Sequence, residues 1–87
     1  MTTPQTQRIE AVISQTMMEI QKELSEMEML FSDLPVQDAE HAGREAYRIA
    51  REQGILDDED FEMFSLMFRE SLLTSVSRSR IFSELWA

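Results

Sequence analysis

The chain has 87 residues, 17 acids against 8 bases, a formal charge of −9, two glycines, two prolines and no cysteine. A chain this short forms one domain with a thin core, burying only about 60% of the surface it exposes when unfolded. Without cysteine, disulfides, thiolate metal sites and cysteine nucleophiles are excluded. A charge of −9 repels phosphate backbones and argues against direct nucleic-acid binding.

The N-terminal Met1-Thr2-Thr3-Pro4-Gln5 is polar and lacks the basic start and apolar run of a secretory signal. No stretch approaches the roughly 18 apolar residues needed to span a bilayer. A cytoplasmic protein with no membrane contact is expected.

The first element reads as a long helix over about residues 4–32. Thr3 suits its N-cap and Pro4 its first helical position. Ile13, Met17, Ile20, Leu24, Met27 and Phe31 recur at alternating steps of four and three, a heptad seam that Ile9 and Val12 extend. The seam fits an intramolecular hairpin or a coiled coil between chains.

Asp33-Leu34-Pro35 breaks this helix. A second is expected over 38–53, capped by Asp38 and closed by Gly54 in the left-handed conformation with Ile55 folding back. Its stripe of Ala39, Ala42, Gly43, Ala46 and Ala50 offers the smallest side chains available. Gly43 inside a helix therefore marks a place where two helix axes approach closely. Arg44, Arg48 and Arg51 form a ridge at steps of four and three that could grip an acidic partner or a phosphate, but the interleaved Glu40, Glu45 and Glu52 make a neutral, ion-paired face the simpler reading.

A third helix is expected over 57–76. Asp57-Asp58-Glu59-Asp60 places acids at its N-terminus, where the helix dipole favours them. Phe61, Phe64, Phe68, Leu72 and Val76 form its core face. The polar stretch Thr74–Arg80 is expected to loosen it, leaving a short fourth helix over 80–86.

The back of the third helix carries the functional signal. Met63, Leu66, Met67 and Leu73 project about 120–240° from Phe61 at 100° per residue. A helix with two apolar stripes must bury both. It can do so at the centre of a bundle or by offering one stripe to a dimer mate or partner, and three helices leave few elements to surround it. Seven methionines agree with an adaptable surface. At the C-terminus, Phe82-Ser83-Glu84-Leu85-Trp86 resembles the short amphipathic Phe-x-x-x-Trp motif of transactivation segments that dock into apolar grooves. That resemblance covers five residues and implies a docking peptide, whereas packing alone would have Phe82 and Trp86 close the end of the bundle.

The acids at 57–62 lack the alternating ligands and sixth-position glycine of a calcium loop, so helix capping explains them. His41, the only histidine, has no nucleophile or substrate group in a catalytic spacing. No enzyme, cofactor or metal is expected. The expected architecture is an all-α, three-helix up-down bundle built on a helical hairpin, homodimeric or held to another protein. The expected function is protein binding, as a small acidic adaptor, chaperone or inhibitor, through Met63, Leu66, Met67 and Leu73, with Phe82 and Trp86 second. Two alternatives are an acidic mimic of nucleic acid that fills a basic groove of another protein, and a self-assembling structural subunit.

Overall fold

A computed structural model describes residues 3–86, with side chains over 3–81. Three helices form the chain: α1 (Pro4–Glu26), α2 (Val36–Glu52) and α3 (Phe61–Trp86). Each touches the other two, and there is no strand among the described residues. The result is an all-α, three-helix up-down bundle. No helix among these residues is long and apolar enough to cross a membrane.

α1 starts as its sequence dictates. Pro4 takes the first helical position and the Thr6 backbone N–H donates to Thr3 Oγ1 at 3.1 Å, satisfying a free donor of the first turn. Ile9, Ile13, Ile20 and Leu24 are buried along one face. Thr16, also buried, takes the seam position between them, and its hydroxyl donates to the Val12 carbonyl at 2.8 Å. Met17 is only half-buried beside it. The seam therefore serves the intramolecular bundle, packing with Ala50, Leu56, Phe64 and Phe68. Each such large side chain contributes about 1.5–3 kcal/mol on burial.

α1 ends at Glu26, well short of the expected residue 32. Glu28 adopts φ 57°, its N–H donates to the Ser25 carbonyl, and the Met29 N–H reaches back to Leu24 O at 2.8 Å. This is a Schellman closure, in which one left-handed residue lets the chain satisfy the last helical carbonyls. The turn leaves Met27 exposed, off the seam, and carries Phe31 into a 3-10 turn over Phe31–Asp33.

α2 closes by the same motif. Gly54 has φ 75°, its N–H donates to Arg51 O, and the Ile55 N–H donates to Ala50 O at 2.9 Å. The residue that folds into the core is Leu56, while Ile55 stays partly exposed. At the other end α2 begins at Val36, directly after Pro35, two residues before the expected start. Asp38 thus lies inside the first turn, not at the cap.

The acids before α3 are caps. Asp57 Oδ1 accepts from the Glu59 N–H and Asp60 Oδ2 from the Asp57 N–H, over a 3-10 turn at Asp58–Asp60 that runs straight into α3. α3 then continues unbroken to Trp86, so no separate fourth helix forms. The polar stretch holds no glycine or proline, and Ser79 packs against the 3-10 turn, with Ser32 N–H donating to its hydroxyl at 3.4 Å. At the opposite end Gln5 Nε2 donates to Asp60 Oδ1 at 2.7 Å. The starts of α1 and α3 therefore lie together, and α2 runs antiparallel between them.

Candidate protein-binding groove

The four described residues expected to carry binding differ in exposure. Met67 is half-buried and packs against the core. Met63 lies at the edge of α1, where Thr6 Oγ1 donates to its sulfur at 3.8 Å. α3 thus buries part of its second stripe inside the bundle. Leu66 remains 65% exposed and Leu73 61%. Phe82 and Trp86 lie outside the residues whose side chains are described.

The larger apolar opening lies elsewhere, between α2 and α3, with a volume of about 510 Å³. Its α2 wall is the ridge Val36, Glu40, Gly43 and Tyr47, at steps of four, three and four. Its α3 wall runs from Phe61 through Leu72 and Leu73 to Val76, and Leu34 and Phe31 close one end. At 1.5 Å per residue the α2 wall is ~16 Å long and the α3 wall ~22 Å. The opening is therefore a trough, three to four helical turns in length.

Aromatic side chains build its floor and one end. Phe64 and Phe68 are buried and stack at 5.8 Å, nearly parallel. Tyr47 meets Phe61 edge-on at 5.2 Å and Phe64 at 5.5 Å, arrangements that ring quadrupoles favour. The Tyr47 hydroxyl donates to the Asp57 carbonyl at 2.6 Å. Burial, and after it the Asp58 carboxylate, holds this phenol above its ordinary pKa. The ring is thereby fixed at the head of the trough.

Three large apolar side chains line the trough and remain open to solvent: Val36 at 72%, Leu73 at 61% and Phe61 at 49%. Phe61 is thus a groove residue and not the core residue its periodicity implied. Of the four described residues expected at an interface, Leu73 alone lines this trough. Sequence reasoning missed Val36, Tyr47 and Arg69, and set the partner-gripping reading of Arg44 below an ion-paired ridge. The available signal was the 36–40–43–47 spacing, one position off the alanine stripe.

Charges on the walls are unevenly paired. Arg48 bridges Glu45 and Glu52 at 2.8 Å each, and Arg51 reaches Asp58 at 3.0 Å. These are exposed pairs worth little individually. Arg48 nonetheless holds the Glu45 carboxyl below its usual range, by its hydrogen bond first and its charge second. Arg44 and Arg69, which line the trough from opposite walls, have no ion-pair partner among the described residues. The ridge of three arginines is therefore ion-paired at Arg48 and Arg51 and open at Arg44.

His41 is exposed on α2, away from the groove lining. Among the described residues no cluster of three or more histidine or carboxylate side chains could hold a metal. A second cleft of about 420 Å³ between α1 and α3 mixes apolar Leu24, Met29, Leu30 and Phe31 with polar side chains that include Gln21, Ser75 and Arg78. The α2–α3 trough differs from it in its floor of stacked aromatic rings and in the three exposed apolar side chains on its walls. Comparison with family models, curated proteins and solved structures gave no match to this chain.

Proposed function

We propose that this is a small acidic protein-binding module, cytoplasmic and acting as an adaptor, chaperone or inhibitor, that holds a partner in the trough between α2 and α3. The observation that carries the reading is the joint exposure of Val36, Phe61 and Leu73 around one aromatic-floored trough. Contiguous exposed apolar surface of this kind marks interaction sites on soluble proteins. A volume of about 510 Å³ would also suit a small ligand. The trough's length and its open side fit an elongated segment better. A helix laid into such a groove buries anchors at i, i+3, i+4 and i+7.

The reading is tested by affinity capture from the native host with the wild-type chain and with Val36→Asp/Leu73→Asp. Both positions are exposed, so the variant keeps its helical circular dichroism. A partner retained by the wild type and lost from the variant supports the reading. Identical captured sets from the two would overturn it.

A further inference from the structure

At Gly43 the Phe68 ring of α3 packs directly on the α2 backbone, since a Cβ on Gly43 would meet that ring. Arg44 follows Gly43 and Arg69 follows Phe68 in the sequence. Both line the trough, one on each wall, at its middle. Of the 8 bases in the chain, Arg48 and Arg51 are ion-paired among the described residues and the other six, Arg44 and Arg69 included, are not; these two line the trough, where Glu40 is the one acid. An arginine on each side of an apolar floor is the complement of a segment with acids on both sides of an apolar stripe.

We propose that the trough recognises an amphipathic helix of a partner protein whose central apolar anchors are flanked on both sides by acidic residues that meet Arg44 and Arg69. The proposal rests on the binding reading above and deepens it. Acids on both flanks of an apolar stripe occupy the e and g positions of a heptad whose a and d residues enter the groove. The protein's own charge of −9 sets a limit on the partner. A uniformly acidic helix is repelled at long range, so the acids are confined to the turns opposite the two arginines and the ends are neutral or basic. The walls of ~16–22 Å hold about three turns of such a helix.

The test is selection from a displayed library of 21-residue peptides. Positions a and d vary among Leu, Ile, Met, Phe and Trp, and positions e and g among Glu, Gln and Lys. The wild-type protein is expected to enrich Glu at the central e and g positions. Measured on selected peptides, central Glu should bind about three- to thirty-fold more tightly than central Lys, as two solvent-exposed ion pairs allow. Arg44→Glu/Arg69→Glu should reverse the preference, and Arg44→Gln/Arg69→Gln should abolish it. Groove binders with no acidic preference, or a preference unmoved by these variants, would overturn this proposal and leave protein binding standing. Absence of any binder that Val36→Asp/Leu73→Asp releases would overturn both. Sedimentation of the protein alone supplies a further check. A dimer that the same variant dissolves would mean that a second copy fills the trough, and would also overturn the proposal.

Discussion

The ring of Phe68 occupies the space in which a side chain at position 43 would begin. A Cβ built on Gly43 would lie 2.5 Å from Cε1 and 2.7 Å from Cδ1 of that ring. The ring cannot swing away freely, because it is buried and stacked on Phe64. Both residues line the trough, and the ring fills the space between the α2 backbone and the trough's aromatic floor.

Gly43→Ala should therefore destabilise the fold by about 1–3 kcal/mol, the range for overpacking a filled core. The gain in helix propensity of up to about 1 kcal/mol is too small to offset it. Urea denaturation measures the loss. Adding Phe68→Leu should recover part of it, giving a non-additive cycle because the two positions share one volume. Strict additivity would mean that the contact is not what excludes alanine.

Glu28 and Gly54 occupy equivalent positions in two Schellman closures, at φ 57° and 75°. Only glycine adopts this conformation without steric cost. Glu28→Gly should stabilise the protein by about 0.5–1 kcal/mol, the left-handed strain outweighing the added freedom of the unfolded chain. Gly54→Ala should cost about 1 kcal/mol, although open space surrounds that position. Thermal melts of the two variants, shifting in opposite directions, check the pair.

The contrast between these two turns shows what could be read in the sequence. Gly54 signals its turn, whereas Glu28 gives no such signal, and Met27 and Phe31 continue the heptad spacing of α1 past its real end. The small-residue stripe marked Gly43 as a place without room for a side chain, but it did not reveal that the Phe68 ring fills that room. The bundle itself followed from three periodic segments and two breaks. The trough did not, because its walls combine residues from two helices and its aromatic head depends on the Tyr47–Asp57 hydrogen bond. The polar stretch after Thr74 suggested a break that the helix does not make, since serines without glycine or proline still propagate it.

Asp60 is 2% exposed and accepts from the Asp57 N–H and the Gln5 amide. The Asp57 backbone bond first, and the Gln5 bond next, hold its carboxyl below the ordinary aspartate range. A depressed folded-state value means that the stabilisation is present above the unfolded pKa, about 3.9, and is lost as pH falls through the folded one. Asp60→Asn should flatten the acid limb of the stability profile below about pH 4. A variant with the same acid limb as the wild type would show that the carboxylate's charge is not what these donors hold.

Tyr47→Phe keeps the ring contacts with Phe61 and Phe64 and removes the bond to the Asp57 carbonyl. The expected cost is about 0.5–1.5 kcal/mol. Because the folded protein resists ionising this phenol, the tyrosine subtracts nothing from wild-type stability below about pH 10, where the unfolded tyrosine titrates. Stability falls as pH rises from there through the higher folded value. The variant should lack that alkaline decline.

The groove prediction separates binding from folding. Val36 and Leu73 are mostly exposed, so their replacement by aspartate removes little buried surface and should change stability by no more than about 0.5 kcal/mol. Phe64→Ala, from the buried floor, should cost about 3–5 kcal/mol. If the trough is a docking surface, Val36→Asp/Leu73→Asp abolishes binding of a groove peptide with the fold intact. Leu66→Asp, exposed on α3 but outside the trough, should leave that binding within about two-fold, the equivalent of roughly 0.4 kcal/mol. Peptide titrations on the folded variants decide it. Equal losses at Leu66 and Leu73 would place the binding surface along the outer face of α3 and not between the helices.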